Sequence, residues 1–279
     1  MSVLLRLVRA LASTPGFRKL TDVESLLRLS FALRGSLLRE RLRFELNELR
    51  RRPRTDTYVL RASPVAVSLR HRTPDVLVLD EIFSQRHYTF PPQVLQALAP
   101  VGAGPRVVDL GANIGLFGAW VLVHFPRASI LALEPDPDNA RVHSLAIAAN
   151  RPSEWKLIQA AAGTTRGTVD FVAGSFTRSR LARGDEGGIE VPVEDVFDHL
   201  AGVDLFKMDI EGGEWELLAD PSFAASKART VVIEYHPDLC PWDDPAEAAE
   251  RLLHGAGYEV FPGLTHVGEG VGVLWGVRR

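Results

Sequence analysis

Four ionisable residues sit at the ends of two apolar runs. Asp209 and Glu211 follow Val203-Asp-Leu-Phe-Lys-Met208, and Glu234 and His236 close Thr230-Val-Val-Ile-Glu-Tyr-His236. The members of each pair are two positions apart, so an extended backbone turns both to one side. If the two runs are neighbouring strands, three carboxylates and one imidazole converge. A histidine with a near-neutral pKa, or a carboxylate, can take the proton of a substrate hydroxyl. Alternatively Asp209, Glu211, Glu234 and His236 hold a Mg²⁺-type ion that orients and acidifies that hydroxyl. The structural alternative has Asp209 and Glu211 capping a helix that starts near Gly212, with Glu234 paired to Lys207. Burying so much charge without a task is costly, and this favours the chemical readings.

A second constellation is a glycine turn and a spaced acid. Arg106-Val-Val-Asp-Leu-Gly-Ala-Asn-Ile-Gly115 reads as a short strand, a tight turn and the start of a helix. Gly111 and Gly115 remove side chains where a ligand approaches the backbone, and the helix aims its N-terminal N–H groups at that ligand. Ser129-Ile-Leu-Ala-Leu-Glu134 is a further strand ending in an acid, 23 positions after Gly111. That is the spacing at which a carboxylate accepts from both hydroxyls of a nucleoside ribose. A dinucleotide turn has a glycine where Asn113 stands, and a triphosphate site has a lysine that this turn lacks. A phosphate-free nucleoside fits better, and S-adenosylmethionine (SAM) is one.

The elements that must position these residues alternate between strand and helix, the signature of an α/β fold with a largely parallel sheet. Strands are expected at 106–110, 129–134, 155–160, 203–209 and 230–236, with helices at 114–125, 136–150, 213–218 and 245–254. A two-stranded excursion spans 167–172 and 189–193, joined by a mobile loop at 174–188. Tyr258–Phe261 and Gly272–Val277 form an antiparallel edge. Ahead of the core, 58–60, 65–69 and 76–79 read as short strands, 80–90 as irregular chain, and 92–98 as a helix. His87 and Tyr88 stand where this lead-in can fold over the cofactor.

Val108-Asp-Leu-Gly-Ala-Asn-Ile-Gly115, Glu134-Pro135, Phe206-Lys-Met-Asp-Ile-Glu-Gly-Gly-Glu-Trp215 and Val232-Ile-Glu-Tyr-His236 together resemble the FkbM family of SAM-dependent methyltransferases. The resemblance covers about residues 80–277, and Lys-x-Asp-x-Glu-Gly-x-Glu is its specific motif. It implies a Rossmann-like, seven-stranded, mostly parallel sheet with helices on both faces. It implies O-methylation of a sugar, glycan or glycolipid, or polyketide-type natural product. On that basis Asp109, Gly111, Asn113 and Gly115 line the methionine part of SAM, Ala161 lies near the adenine, and Lys207, Asp209 and Glu211 face the reaction centre. Tyr88 joins the cofactor set, and Asp209 or His236 is the favoured base, with Glu234 beside them. The family more often carries Ala at the position of Gly213. A nucleotide-dependent oxidoreductase and a non-catalytic binding protein are the competing classes.

Composition bounds the rest. The 279 residues are 46% hydrophobic and 24% charged, ample for one large core. A single cysteine, Cys240, excludes an internal disulfide framework and a cysteine zinc cluster. The first 54 residues carry 13 Lys and Arg against 5 Asp and Glu, and the remainder 19 against 30. The expected organisation is a basic helical extension over 1–56 and a methyltransferase domain over 57–279, with lead-in 57–100 and core 105–279. The extension has no aromatic interleaving for nucleic-acid stacking; the favoured reading is a solvated helical face that also pairs with the acidic body, with peripheral membrane contact and a homodimer as alternatives. The chain start lacks the separate charged and apolar regions of a signal peptide, so a cytoplasmic location is expected.

Overall fold

The computed structural model describes residues 35–50, 54–174, 180–181, 188–267 and 270–279. Helices are α1 (Arg41–Leu49), α2 (Asp75–Phe83), α3 (Pro92–Leu98), α4 (Leu116–His124), α5 (Pro137–Ala149), α6 (Glu214–Ala219), α7 (Pro221–Ser226) and α8 (Pro245–Gly255). Strands β1 (Thr55–Val59) and β2 (Ala66–Arg70) form a hairpin. The main sheet contains β3 (Arg106–Leu110), β4 (Ser129–Leu133), β5 (Glu154–Ile158), β10 (Leu205–Met208), β11 (Thr230–Tyr235), β12 (Tyr258–Val267) and β13 (Val271–Arg278). A smaller sheet contains β6 (Ala161–Gly163), β7 (Gly167–Val172), β8 (Arg180–Leu181) and β9 (Ile189–Asp195).

The seven strands run in the order β12-β13-β11-β10-β3-β4-β5. Five are parallel, and β13 and β12 close one edge antiparallel, as expected. From β3 the chain steps outward to β4 and β5, then returns to the other side of β3 with β10 and β11. The order therefore reverses between β3 and β10, and a ligand crevice opens beyond their carboxyl ends.

Alternating residues of the buried strands serve two cores. Val107, Leu205 and Val232 face α4 and the lead-in, whereas Val108, Phe206 and Ile233 face α6, α7 and α8. Asp136 caps α5 by accepting from the N–H groups of Asp138 and Asn139, with Pro137 at the first helical position.

Two expectations change. Residues 76–79 lie in α2, not in a strand. Val76, Leu79 and Ile82 are buried at intervals of three while Leu77 is exposed, the period of a helix packing one face. A four-residue apolar run alone could not separate the two. The excursion 167–172 and 189–193 belongs to a four-stranded sheet completed by β6 and β8, and most of the loop expected at 174–188 lies outside the described residues.

The boundary expected at residue 56 falls inside β1. Leu38 and Phe44 are completely buried in the same core as Leu69 and Val107. His71 bridges Glu48 through Nδ1 and Tyr58 Oη through Nε2, each at 2.6 Å, and so ties α1 to the hairpin. From residue 35 onward the extension is part of the core. Residues 1–34 of the extension, to which the membrane and dimer alternatives belong as a whole, lie outside the described residues. No helix among the described residues is long and apolar enough to cross a membrane.

Phe44→Ala is expected to cost about 3–5 kcal/mol of unfolding free energy, the usual range for emptying a buried aromatic site. Urea unfolding measures it. A loss under about 1 kcal/mol would show that α1 is not part of the cooperative core.

Candidate active site

The crevice beyond β3 and β10 is lined from one end to the other by chemically distinct groups. Leu133, Glu134, Pro135, Asn139, Ala161, Ala162 and Phe171 form one part, and the 111–114 turn forms the middle. Glu81, His87, Tyr88, Lys207, Asp209, Glu211 and Glu234 form the other part, with Val78, Ile82 and Phe117 as apolar wall.

Glu134 follows β4 directly and is 4% exposed. Its Oε2 accepts from Asn113 N at 2.7 Å, and its Oε1 accepts from Asp136 N at 2.9 Å. Asn139 Nδ2 also donates to Oε1, at 3.4 Å, so of about four acceptor positions on the two oxygens about one remains for a ligand hydroxyl. Burial pushes its pKa up to about 7, against the pull of the Asp136 and Asn113 N–H groups. Asn113 itself has φ +48°, and its side-chain oxygen accepts from Ile114 N at 2.8 Å. A compact polar residue stabilises that left-handed turn.

Gly111 lines the crevice, but the protein itself also demands it. A Cβ there would stand 1.7 Å from the carbonyl oxygen of Asp209, and φ is +67°. Gly115 does not line the crevice. It starts α4 with φ +87°, and a Cβ would meet the buried His143 ring at 2.6 Å. Its expected place beside the methionine part is therefore corrected to packing. Burial lowers the His143 pKa to about 3, so this ring is a neutral packing group.

Asp109 is also corrected. It is completely buried beneath the crevice rather than on its wall, with Lys207 Nζ 3.2 Å from Oδ1. Lys207 donates to the carbonyl oxygens of Leu110 at 3.0 Å and Gly111 at 2.9 Å, and stands 3.4 Å from Asp209 Oδ2. Burial works against its charge, but Asp109 and Asp209 outweigh burial, and the pKa rises. Lys207 is thus a fixed cation, not paired to Glu234 as the structural alternative had it.

Glu234 instead accepts from Tyr88 Oη at 2.9 Å and pairs with His87 Nε2 at 2.9 Å. Tyr88 Oη also lies 3.3 Å from Asp209 Oδ2, which puts Tyr88 at the carboxylate end rather than over the nucleoside. Burial raises the Asp209 pKa, Lys207 opposes it, and Glu234 adds to the rise. About 27% of the Asp209 side chain remains exposed, enough for a substrate atom to reach it. Glu211, at φ +54°, is pushed up to about 7 by burial and by the Asp209 charge.

His236 departs from its expected role. It does not line the crevice, and its Nδ1 lies 3.0 Å from Glu214 Oε1. Burial lowers its pKa, but Glu214, Asp209 and Glu211 raise it to about 10. An imidazolium at neutral pH cannot serve as the base. Asp209, Glu234 and His236 do offer ligand atoms within 4.8 Å of one another, three of the four residues anticipated for a metal ion, without Glu211.

Neither Asp209 nor Glu211 caps the following helix. Glu214, completely buried, accepts from Ile210 N through Oε1 and from Gly212 N through Oε2, both at 2.9 Å. It braces the 209–213 turn from below. Glu214 and Glu81 were missed as site residues. Glu214 carried a signal as the last acid of Lys-x-Asp-x-Glu-Gly-x-Glu, whereas Glu81 lay in a stretch read as irregular.

A family profile described as "Methyltransferase FkbM domain" matches residues 109–260. The methyltransferase sdnD of Sordaria araneosa is 30% identical, over 66% of this chain and 82% of that protein. The AMB antimetabolite synthetase AmbE of Pseudomonas aeruginosa is 24% identical over 66% of this chain, which corresponds to 10% of that much longer protein. Among solved structures, M. jannaschii TYW2 in complex with AdoMet superposes with a TM-score of 0.43 at 14% identity, covering 82% of this chain and 87% of that one. Synechocystis magnesium protoporphyrin IX methyltransferase with bound SAM gives 0.43 at 12% identity, over 72% and 84%. Those two likenesses are too distant to bear on function.

The Glu134 geometry sets a pH dependence for binding. The carboxylate ionises as pH rises through about 7, and the ionised form is the stronger acceptor for the ribose hydroxyl expected there. Affinity for S-adenosylhomocysteine should therefore strengthen between pH 6 and pH 8. Glu134→Gln should weaken it about 10- to 100-fold at pH 8, the scale of a charged hydrogen bond, and flatten the pH response. Isothermal titration calorimetry at the two pH values checks both; a pH-independent wild-type affinity would remove Glu134 from the ribose.

Proposed function

The chain belongs to the FkbM family and is a SAM-dependent methyltransferase, and we propose that its acceptor is a hydroxyl of a sugar, glycan or glycolipid, or polyketide-type natural product. Of the competing classes, family membership sets aside the oxidoreductase and the non-catalytic binding protein. The relative named as an antimetabolite synthetase supports natural-product chemistry. The single observation carrying the hydroxyl reading is the carboxylate wall of Asp209, Glu211 and Glu234 at the end of the crevice away from Glu134. A hydroxyl loses its proton as it is methylated, and such a wall offers proton acceptors.

The residues present fit SAM. Glu134 has acceptor capacity for the ribose, Ala161, Ala162 and Phe171 make an apolar floor for a base, and the 111–114 turn follows between them and the acids. When bound, SAM supplies an electrophilic methyl group with a neutral thioether as leaving group. Catalysis by the protein is then mostly positioning. Asp209 orients the acceptor hydroxyl and takes its proton at a carboxylate oxygen. Burial raises the proton affinity of this carboxylate, which suits a base working near neutral pH. Lys207 holds Asp209 in place and limits how far its pKa can rise. Phe117, Val78 and Ile82 exclude water from the reacting atoms.

The Mg²⁺ expectation has no support in the comparisons. Mg²⁺ favours an all-oxygen set that retains water, and the cluster near Asp209 includes an imidazole. The proposed proton transfer needs no ion.

Asp209→Asn should lower turnover by at least 100-fold, the usual worth of a general base, while leaving S-adenosylhomocysteine affinity within about threefold. The assay is transfer of tritiated methyl from SAM into cell extract, with mass spectrometry for products heavier by one methylene. Unchanged turnover would remove Asp209 from the mechanism. A product methylated on nitrogen or carbon would overturn the hydroxyl reading.

A further inference from the structure

A proton delivered to Asp209 must leave a site that cofactor and acceptor both fill. Four side chains lead from Asp209 to the surface. Tyr88 Oη lies 3.3 Å from Asp209 Oδ2 and 2.9 Å from Glu234 Oε2. Glu234 Oε2 lies 2.9 Å from His87 Nε2, and His87 Nδ1 lies 3.9 Å from Glu81 Oε1. Exposure changes along this path. Tyr88 is 4% and His87 2% exposed, whereas 39% of the Glu81 side chain reaches solvent.

We propose that Tyr88, Glu234 and His87 relay the acceptor's proton from Asp209 to Glu81 and so to bulk water. This rests on Asp209 being the base. In the transfer itself the acceptor oxygen bonds to the methyl carbon, the sulfur–carbon bond breaks with its electron pair left on sulfur, and the hydroxyl proton passes to Asp209. The relay then moves one proton. Asp209 donates to Tyr88 Oη as Tyr88 passes its own proton to Glu234. From the neutral ring with its proton on Nδ1, Glu234 passes a proton to the bare Nε2 as His87 Nδ1 yields its own to Glu81, and the ring then returns to the Nδ1–H tautomer to reset the relay. The last gap is too long for a direct hydrogen bond, and rotation of the exposed Glu81 side chain closes it. Atoms and charge balance, and no co-reactant is needed.

The groups facing His87 match this task. Glu81 on α2, Glu234 on β11 and Asp209 on β10 are the acids around it, and Tyr88 is its neighbour. Burial lowers the His87 pKa, but the Glu234 hydrogen bond and the charges of Glu234, Glu81 and Asp209 reverse that, and the net shift is upward. A histidine that only docked the lead-in onto β11 would need one carboxylate. This one stands between two, with a different ring nitrogen toward each. Glu81, His87 and Tyr88 precede the family match at 109–260, whereas Asp209 and Glu234 lie within it.

The test compares Tyr88→Phe, His87→Ala and Glu81→Gln, using tritiated SAM and the extract fraction that yields the methylated product. Tyr88→Phe and His87→Ala should lower kcat at least tenfold at pH 7 with S-adenosylhomocysteine affinity within twofold. Added imidazole should restore His87→Ala, more so as pH rises through the imidazole pKa. Glu81→Gln should lower kcat and enlarge the solvent isotope effect. Independently of any acceptor, the His87 ring signal in NMR of the S-adenosylhomocysteine complex should titrate above pH 6.5 and move down in Glu81→Gln. Wild-type kcat in Tyr88→Phe, loss without imidazole rescue in His87→Ala, or a His87 titration indifferent to Glu81→Gln would each overturn the relay. Those results beside an inactive Asp209→Asn would leave the base standing, whereas an active Asp209→Asn would remove both. Should His87→Ala fail to fold, Tyr88→Phe and the titration decide alone.

Discussion

The structure turns on one buried cation. Lys207 reaches from β10 to β3, the two strands between which the order of the sheet reverses. It binds the carbonyl oxygens of Leu110 and Gly111 while standing between Asp109 and Asp209. A lysine this buried is tolerated only if its charge is matched and its donors are used. Asp109 supplies the match from beneath. Asp209 supplies it from the crevice side, so the carboxylate proposed as the base is also half of a structural ion pair. The two oxygens of Asp209 are therefore differently constrained, and its position is set by the sheet rather than by a loop.

Around that centre, two loops are fastened to each other. Glu214 accepts from the backbone of Ile210 and Gly212 and from His236, and Trp215 Nε1 lies 3.0 Å from the carbonyl oxygen of His236. Gly212, with φ +101°, leaves only 2.9 Å between a would-be Cβ and Asp238 O. The turn after β10 and the turn after β11 thus move as one piece. This explains why His236, which looked like a base, works as a brace. Its charge is held by Glu214, and its influence on the site is through Glu211 and Asp209.

The lead-in completes the site from outside the shared domain. Helix α2 and the following turn bring Glu81, His87 and Tyr88 onto the end of β11, and the indole of Trp120 on α4 donates to Tyr88 O at 2.9 Å. Stacked rings of Phe90 and Trp120 add apolar support. The ribose end, by contrast, is built wholly from the family's own elements. The carboxylate end combines Asp209, Glu211 and Glu234 from within the matched region with Glu81, His87 and Tyr88 from ahead of it.

Local chemistry was enough to read much of this. The β-branched and apolar run 106–110, the turn with Gly111 and Asn113, the Asp136-Pro137 cap and the acid at 134 each depend on neighbours within a few positions, so their elements could be located from the residues alone. The specific motif around 207–214 marked where the charges gather. What it could not show was which charge meets which. Lys207 lies two positions from Asp209 and four from Glu211, yet beside Asp209 it pairs with Asp109, about a hundred positions away. Whether His236 is base or cation depends on Glu214 lying beneath it, and whether residues 76–79 are helix or strand depends on which face α4 covers. Sequence determines periodicity, turns and the supply of ionisable groups because these are short-range. Partners, burial and protonation are decided by the folded sheet, because the forces that set them act through space between segments that the chain order keeps apart.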